Sequence, residues 1–141
     1  MDLYRLSVAV HVFLSIVLVG LALFWVIMYT ALGRRFGAGE TARLLAIVKD
    51  ARWPHVAVPY QWRLRLPWLA WLTLLALWGT GVLNAKLHGT PEGVLWWTKM
   101  ALFFAIIASQ VLLSRGSGPR PGRLNFVLVL AMVVVSGWVI R

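Results

Sequence analysis

Leu6-Ser-Val-Ala-Val-His-Val-Phe-Leu-Ser-Ile-Val-Leu-Val-Gly-Leu-Ala-Leu-Phe-Trp-Val-Ile-Met-Tyr-Thr-Ala-Leu32 is an apolar run with no Asp, Glu, Lys or Arg, interrupted only by a few small polar residues and His11. A helix crosses the hydrocarbon core of a bilayer with about 20 such residues, so this run spans a membrane with some tilt. It is too long for the core of a signal peptide, only Arg5 precedes it as a basic residue, and no A-x-A site follows it. Three further runs, Pro67–Leu83, Val94–Leu113 and Leu124–Ile140, have the same character.

Together the four runs predict an all-α protein, a single transmembrane domain over residues 1–141 with spans at about 6–32, 67–85, 94–114 and 124–140. The overall composition agrees, with 61% hydrophobic residues and a mean hydropathy of +0.81. Short connections make consecutive helices antiparallel neighbours, the pattern of an up-down four-helix bundle. The longest break contains Glu40-Thr-Ala-Arg-Leu-Leu-Ala-Ile-Val-Lys-Asp-Ala-Arg52, in which Leu44, Leu45 and Val48 share one face. This reads as a short amphipathic helix lying in the membrane interface within the first inner loop.

The net charge of +10 points to the bilayer and not to nucleic acid, because of where the charges lie. Of 14 Lys and Arg, seven fall between Arg34 and Arg65 and three between Arg115 and Arg123, in two loops on one side of the membrane. The other side holds Arg5, Lys86 and Arg141, with Lys99 just inside the third run. The positive-inside rule then places both basic loops in the cytoplasm and both termini outside. Trp53, Tyr60, Trp62 and Trp68, mixed with Arg63 and Arg65 around three prolines, have the make-up of an interfacial belt, and His55 belongs to it as an interfacial polar residue.

Within the spans, polar residues fall on one stripe per helix: Ser7, His11 and Ser15; Thr73, Thr80 and Asn84; Lys99 and Gln110; Asn125 and Ser136. Lipid offers no hydrogen bonds, so such stripes face the bundle interior. His11 and Lys99 are the ionisable members, and an ionisable group inside a span marks a functional site. By depth they gather near the outer end, with Ser15 and Asn84 beside them and His88 in the following loop. These five are the candidate cofactor-binding residues, and His11 is the candidate metal ligand. In the third span, Ala101, Ala105 and Ser109 recur every four residues, a small-residue face suited to a partner membrane subunit or a homodimer.

A b-type haem needs an imidazole at the iron, a flat apolar slot and a cation near its propionates. His11 offers the imidazole, Trp71, Trp78, Phe103 and Phe104 the slot, and Lys99 with Lys86 or Arg5 the cation. A second axial ligand would be His88 or a residue of a partner, unless the iron is five-coordinate. Copper is the alternative, with His11 joined by Met100 or Met132, since the absence of cysteine excludes thiolate and iron–sulfur sites. Nucleophile–base triads, phosphate-binding glycine loops and paired carboxylates are absent from the sequence, so it shows no catalytic set for an enzyme working on its own.

Three stretches resemble the membrane domain of copper-resistance D (CopD) proteins and the related HemJ group. They are Val10-His-Val-Phe-Leu-Ser-Ile-Val-Leu-Val-Gly20, Leu74-Leu-Ala-Leu-Trp-Gly-Thr-Gly-Val-Leu-Asn84 and Gly93-Val-Leu-Trp-Trp-Thr-Lys-Met-Ala-Leu102. Tyr29 and Arg34 loosely echo the HemJ pattern at the end of the first span. The resemblance implies a four-helix unit of the bacterial inner membrane whose first-span histidine and third-span lysine, here His11 and Lys99, are functional. It implies haem-linked redox work on the HemJ side and copper uptake or resistance on the CopD side. A purely structural subunit of a larger membrane complex is the reading that needs neither.

Overall fold

The computed structural model of the chain describes residues 2–50, 66–90, 92–115 and 119–139. Four helices account for nearly all of them: α1 (Leu3–Asp50), α2 (Leu66–His88), α3 (Val94–Arg115) and α4 (Arg120–Val139). Each is long and apolar enough to cross a membrane, and the chain is a multi-pass membrane protein. Of the proposed belt, Trp53, His55, Tyr60, Trp62, Arg63 and Arg65 lie outside the described residues, while Trp68 stands in the first turn of α2 as an exposed side chain.

Asp2 caps α1, its Oδ1 accepting the backbone N–H of Arg5 at 2.8 Å, which satisfies one of the free donors at a helix start. The helix then runs past the apolar stretch to Gly37, where φ 80° and ψ 171° break it. Only glycine adopts that conformation readily. Residues 38–50 form a return arm that runs back along the outgoing one. Its register shows the reversal: Leu45 is buried in one cluster with Trp25, Tyr29 and Leu113, and the Lys49 ammonium lies over the rings of Trp25 and Tyr29. Trp25 and Lys49 are equally far from Gly37, as are Tyr29 and Leu45, a pairing that only antiparallel arms produce. The amphipathic helix is therefore present, and its Leu45 face packs on protein while Ile47 stays exposed.

Lys49 pins the return arm. Its Nζ donates to the Tyr29 hydroxyl at 3.1 Å and to the Leu113 carbonyl at 3.0 Å. That carbonyl belongs to the last turn of α3, the electronegative end of the helix. The cation–π placement over two aromatic faces adds to the attraction.

α1 packs on α2 and on α4, and α3 packs on α4, whereas α2 and α3 touch only slightly. The short connection after α2 thus brings antiparallel helices that are sequence neighbours without making them close packing partners. Leu18, Ala22, Leu74, Leu77, Phe103, Ile106 and Val129 form the central core. Side chains such as Phe13, Ile16, Leu75 and Val127 face outward. In a bilayer these outer faces meet lipid, which is as apolar as they are.

Candidate functional site

Two polar layers lie within the bundle. The first joins α3 to α4: the Asn125 amide donates to Ser109 Oγ at 2.9 Å and reaches Gln110 Oε1 at 3.5 Å. Ser109 passes its own proton to the Ile106 carbonyl at 2.8 Å. All three residues are buried. The amide nitrogen of Gln110 has no partner. This knot answers the membrane's demand that polar groups find partners inside the protein.

Ser109 points into the α3–α4 contact, Ala105 is half-buried and Ala101 is exposed. The three do not form one free surface.

The second layer, toward the end of the bundle where α1 begins, contains His11. Its Nδ1 lies 2.6 Å from Thr80 Oγ1 on α2. The Thr80 hydroxyl has one proton, and the Ala76 and Leu77 carbonyls receive it at 2.9 and 3.2 Å. Thr80 is thus left to accept, Nδ1 carries the imidazole proton, and the Nε2 lone pair is bare. Nε2 has no hydrogen-bond partner among the described residues. A hydrogen bond on one ring nitrogen that orients the other is the usual support for a metal-binding histidine. Gly81 faces the same ring, and a Cβ built there would stand 3.6 Å from His11 Cε1.

The register brings the other helices to this level. A Cβ on Gly122 would touch Leu113 and Trp25 at 3.7 Å each. Equal steps outward from that meeting point along α1, α3 and α4 reach His11, Lys99 and Ser136. The register thus sets Lys99 at the level of His11. Lys99 is half-buried, and its ammonium has no hydrogen-bond or ion-pair partner among the described residues.

The remaining candidates divide. Ser15 donates to the His11 carbonyl at 2.9 Å, so its hydroxyl is committed to the helix backbone. Asn84 lies one turn outward of Thr80, opposite Ser7. Asn84 Oδ1 and Ser7 Oγ are both buried without a partner, an acceptor and a donor left open at one level. His88 closes the last turn of α2, about 12 Å along the helix from Thr80. Its ring stacks on Tyr4 with centroids 4.8 Å apart, away from His11.

The aromatic residues also divide. Phe103 is buried in the core, Trp71 packs against it, and Trp78 and Phe104 are exposed. They do not line a common slot. Met132 packs on the core and Met28 on the inner cluster.

Sequence reasoning overlooked the role of Thr80 as the partner of His11 and the open atoms of Ser7 and Asn84. A signal existed: Ser7 and His11 have the same four-residue spacing as Thr80 and Asn84, which an antiparallel pair brings into register. It also missed Lys49, which no periodicity distinguishes from a solvated lysine.

The donor set favours some chemistries over others. No group of three or more His, Cys, Asp or Glu converges among the described residues. A metal held by His11 would therefore take its other ligands from a porphyrin, from methionine sulfur or from another chain. Comparisons with protein-family models, with curated proteins and with solved structures find no match to this chain.

Proposed function

We propose that this chain is a bacterial inner-membrane protein, similar to CopD and HemJ proteins, that binds haem b through His11 or serves as an accessory subunit of membrane redox machinery. The observation that carries this reading is the imidazole of His11: Nδ1 is engaged by Thr80 and Nε2 has no hydrogen-bond partner among the described residues, with the half-buried Lys99 at the same level of the bundle. Porphyrin brings four nitrogen ligands of its own, so a single imidazole suffices for a five-coordinate iron. Lys99 would meet a propionate, and the open Ser7 and Asn84 atoms would receive further polar groups or water. Bound there, haem would supply one-electron chemistry. Exposed Ala101 and half-buried Ala105 offer a close-approach surface for a partner helix, and both termini lie on the outer side.

Absorption spectroscopy after gentle detergent extraction tests the proposal. The expected result is a Soret band that His11→Ala abolishes and Lys99→Met weakens or shifts without removing. A full-strength band in His11→Ala would sink the assignment. Stoichiometric copper without a Soret band would favour copper handling, and neither would leave a structural subunit.

A further inference from the structure

At the opposite end of the bundle, a half-open cleft of about 570 Å³ lies between the Gly37 turn and the start of α4. Its walls come from three places: the last turns of the outgoing arm, with Tyr29, Thr30 and Arg34; the first turn of the return arm; and the first turn of α4, with Pro119 and Arg123. The guanidiniums of Arg34 and Arg123 have no hydrogen-bond or ion-pair partner among the described residues. Glu40, the acid closest in sequence to the turn, is engaged by Arg43 at 2.7 Å. The Thr30 hydroxyl is also without a partner, while that of Thr41 is spent on the Gly37 carbonyl at 2.7 Å.

Two helix N-terminal turns therefore converge on a cavity that two unneutralised guanidiniums also line. Each such terminus carries partial positive charge, and a guanidinium presents paired donors that match phosphate oxygens. The formal charges on the residues lining the cleft, those of Arg34 and Arg123, are both positive. Depth identifies the source of a matching anion. Arg34 stands two residues beyond Leu32, where the apolar run ends, which is the level of the lipid headgroups. The exposed Ile47 side chain of the return arm adds apolar surface on the bilayer side of the turn. We propose that this cleft binds the phosphate of an anionic phospholipid headgroup, with Arg34 and Arg123 as its two arms. Basic pockets between spanning helices are suited to such headgroups. A free phosphate shares the chemistry but lacks the acyl chains that would hold it at this depth.

Full-length protein, delipidated in detergent, would be titrated with phosphatidylglycerol and with phosphatidylcholine, and bound lipid read by native mass spectrometry. The expected result is a preference for phosphatidylglycerol of roughly tenfold or more, lost in the Arg34→Gln, Arg123→Gln double variant. It should persist in the Arg5→Gln, Lys86→Gln variant, which loses the same charge at the other end. Circular dichroism checks helicity, and if the double variant does not fold, Arg123→Gln alone is read by the same ratio. No preference in the unmodified protein, or equal loss in both double variants, would overturn the site. Displacement of the lipid by millimolar inorganic phosphate would overturn the lipid as its ligand.

Discussion

At the scale of single residues, one hydrogen bond between spanning helices joins His11 to Thr80. Thr80 accepts from His11 because its own proton is committed to the helix backbone. Thr80→Val keeps the shape and removes the acceptor. Bonds of this kind between spanning helices contribute roughly 0.5–2 kcal/mol, and an unpaired buried donor costs about 1–3 kcal/mol. The variant should melt at lower temperature in detergent. Thr98→Val, whose hydroxyl serves only the Val94 carbonyl on an exposed face, should not. If His11 holds haem, Thr80→Val should also weaken retention about tenfold or more, because the orienting partner of the ligand is gone. An unchanged melting temperature and unchanged retention would remove Thr80 from the account.

At the scale of elements, α1 is the informative one. A reversal within one helix depends on a single backbone conformation at Gly37 and on what holds the return arm afterwards. Nothing lies within 4 Å of a Cβ placed at Gly37, so a substitution there acts through conformational strain alone. Gly37→Ala should cost about 1–3 kcal/mol and loosen the turn. Lys49→Met should free the far end of the arm by removing its donors to Tyr29 and Leu113. Both variants predict faster amide hydrogen exchange over residues 44–49, with the α3–α4 contact at Asn125 unaffected. Exchange that stays slow in both would mean that Leu45 packing alone secures the arm. The contrast between Leu45 and Ile47 explains why periodicity saw the helix but not its direction. An apolar stripe predicts that a face is buried, and lipid and protein satisfy it equally well.

At the scale of the whole molecule, basic charge is divided unevenly between the two ends of the bundle. The described basic residues Arg34, Arg35, Arg43, Arg120 and Arg123 gather at the end of the bundle that bears the Gly37 turn, while His11 and Lys99 occupy the other end. Topology reporters fused after Arg141 and within residues 116–122 should report opposite sides, with the C-terminus outside. A cytoplasmic C-terminus would move the His11 layer to the inner half of the membrane and the arginine cleft to the outer leaflet.

The all-α class and the four helices long and apolar enough to span followed from composition and periodicity, because a bilayer imposes on every crossing segment the same length and the same need for internal hydrogen bonds. His11 and Lys99 were legible for the same reason: ionisable groups inside apolar runs stand out by the cost of placing them there. What the sequence left open is whatever depends on which helix faces which. The slight contact between α2 and α3, the pairing of His11 with Thr80, the separation of His88 from His11 and the meeting of Arg34 with Arg123 are matters of register and neighbour choice. Apolar side chains pack on lipid and on one another with nearly equal favour. Only the tertiary structure, in which a few polar contacts and one glycine turn choose among those packings, decides them.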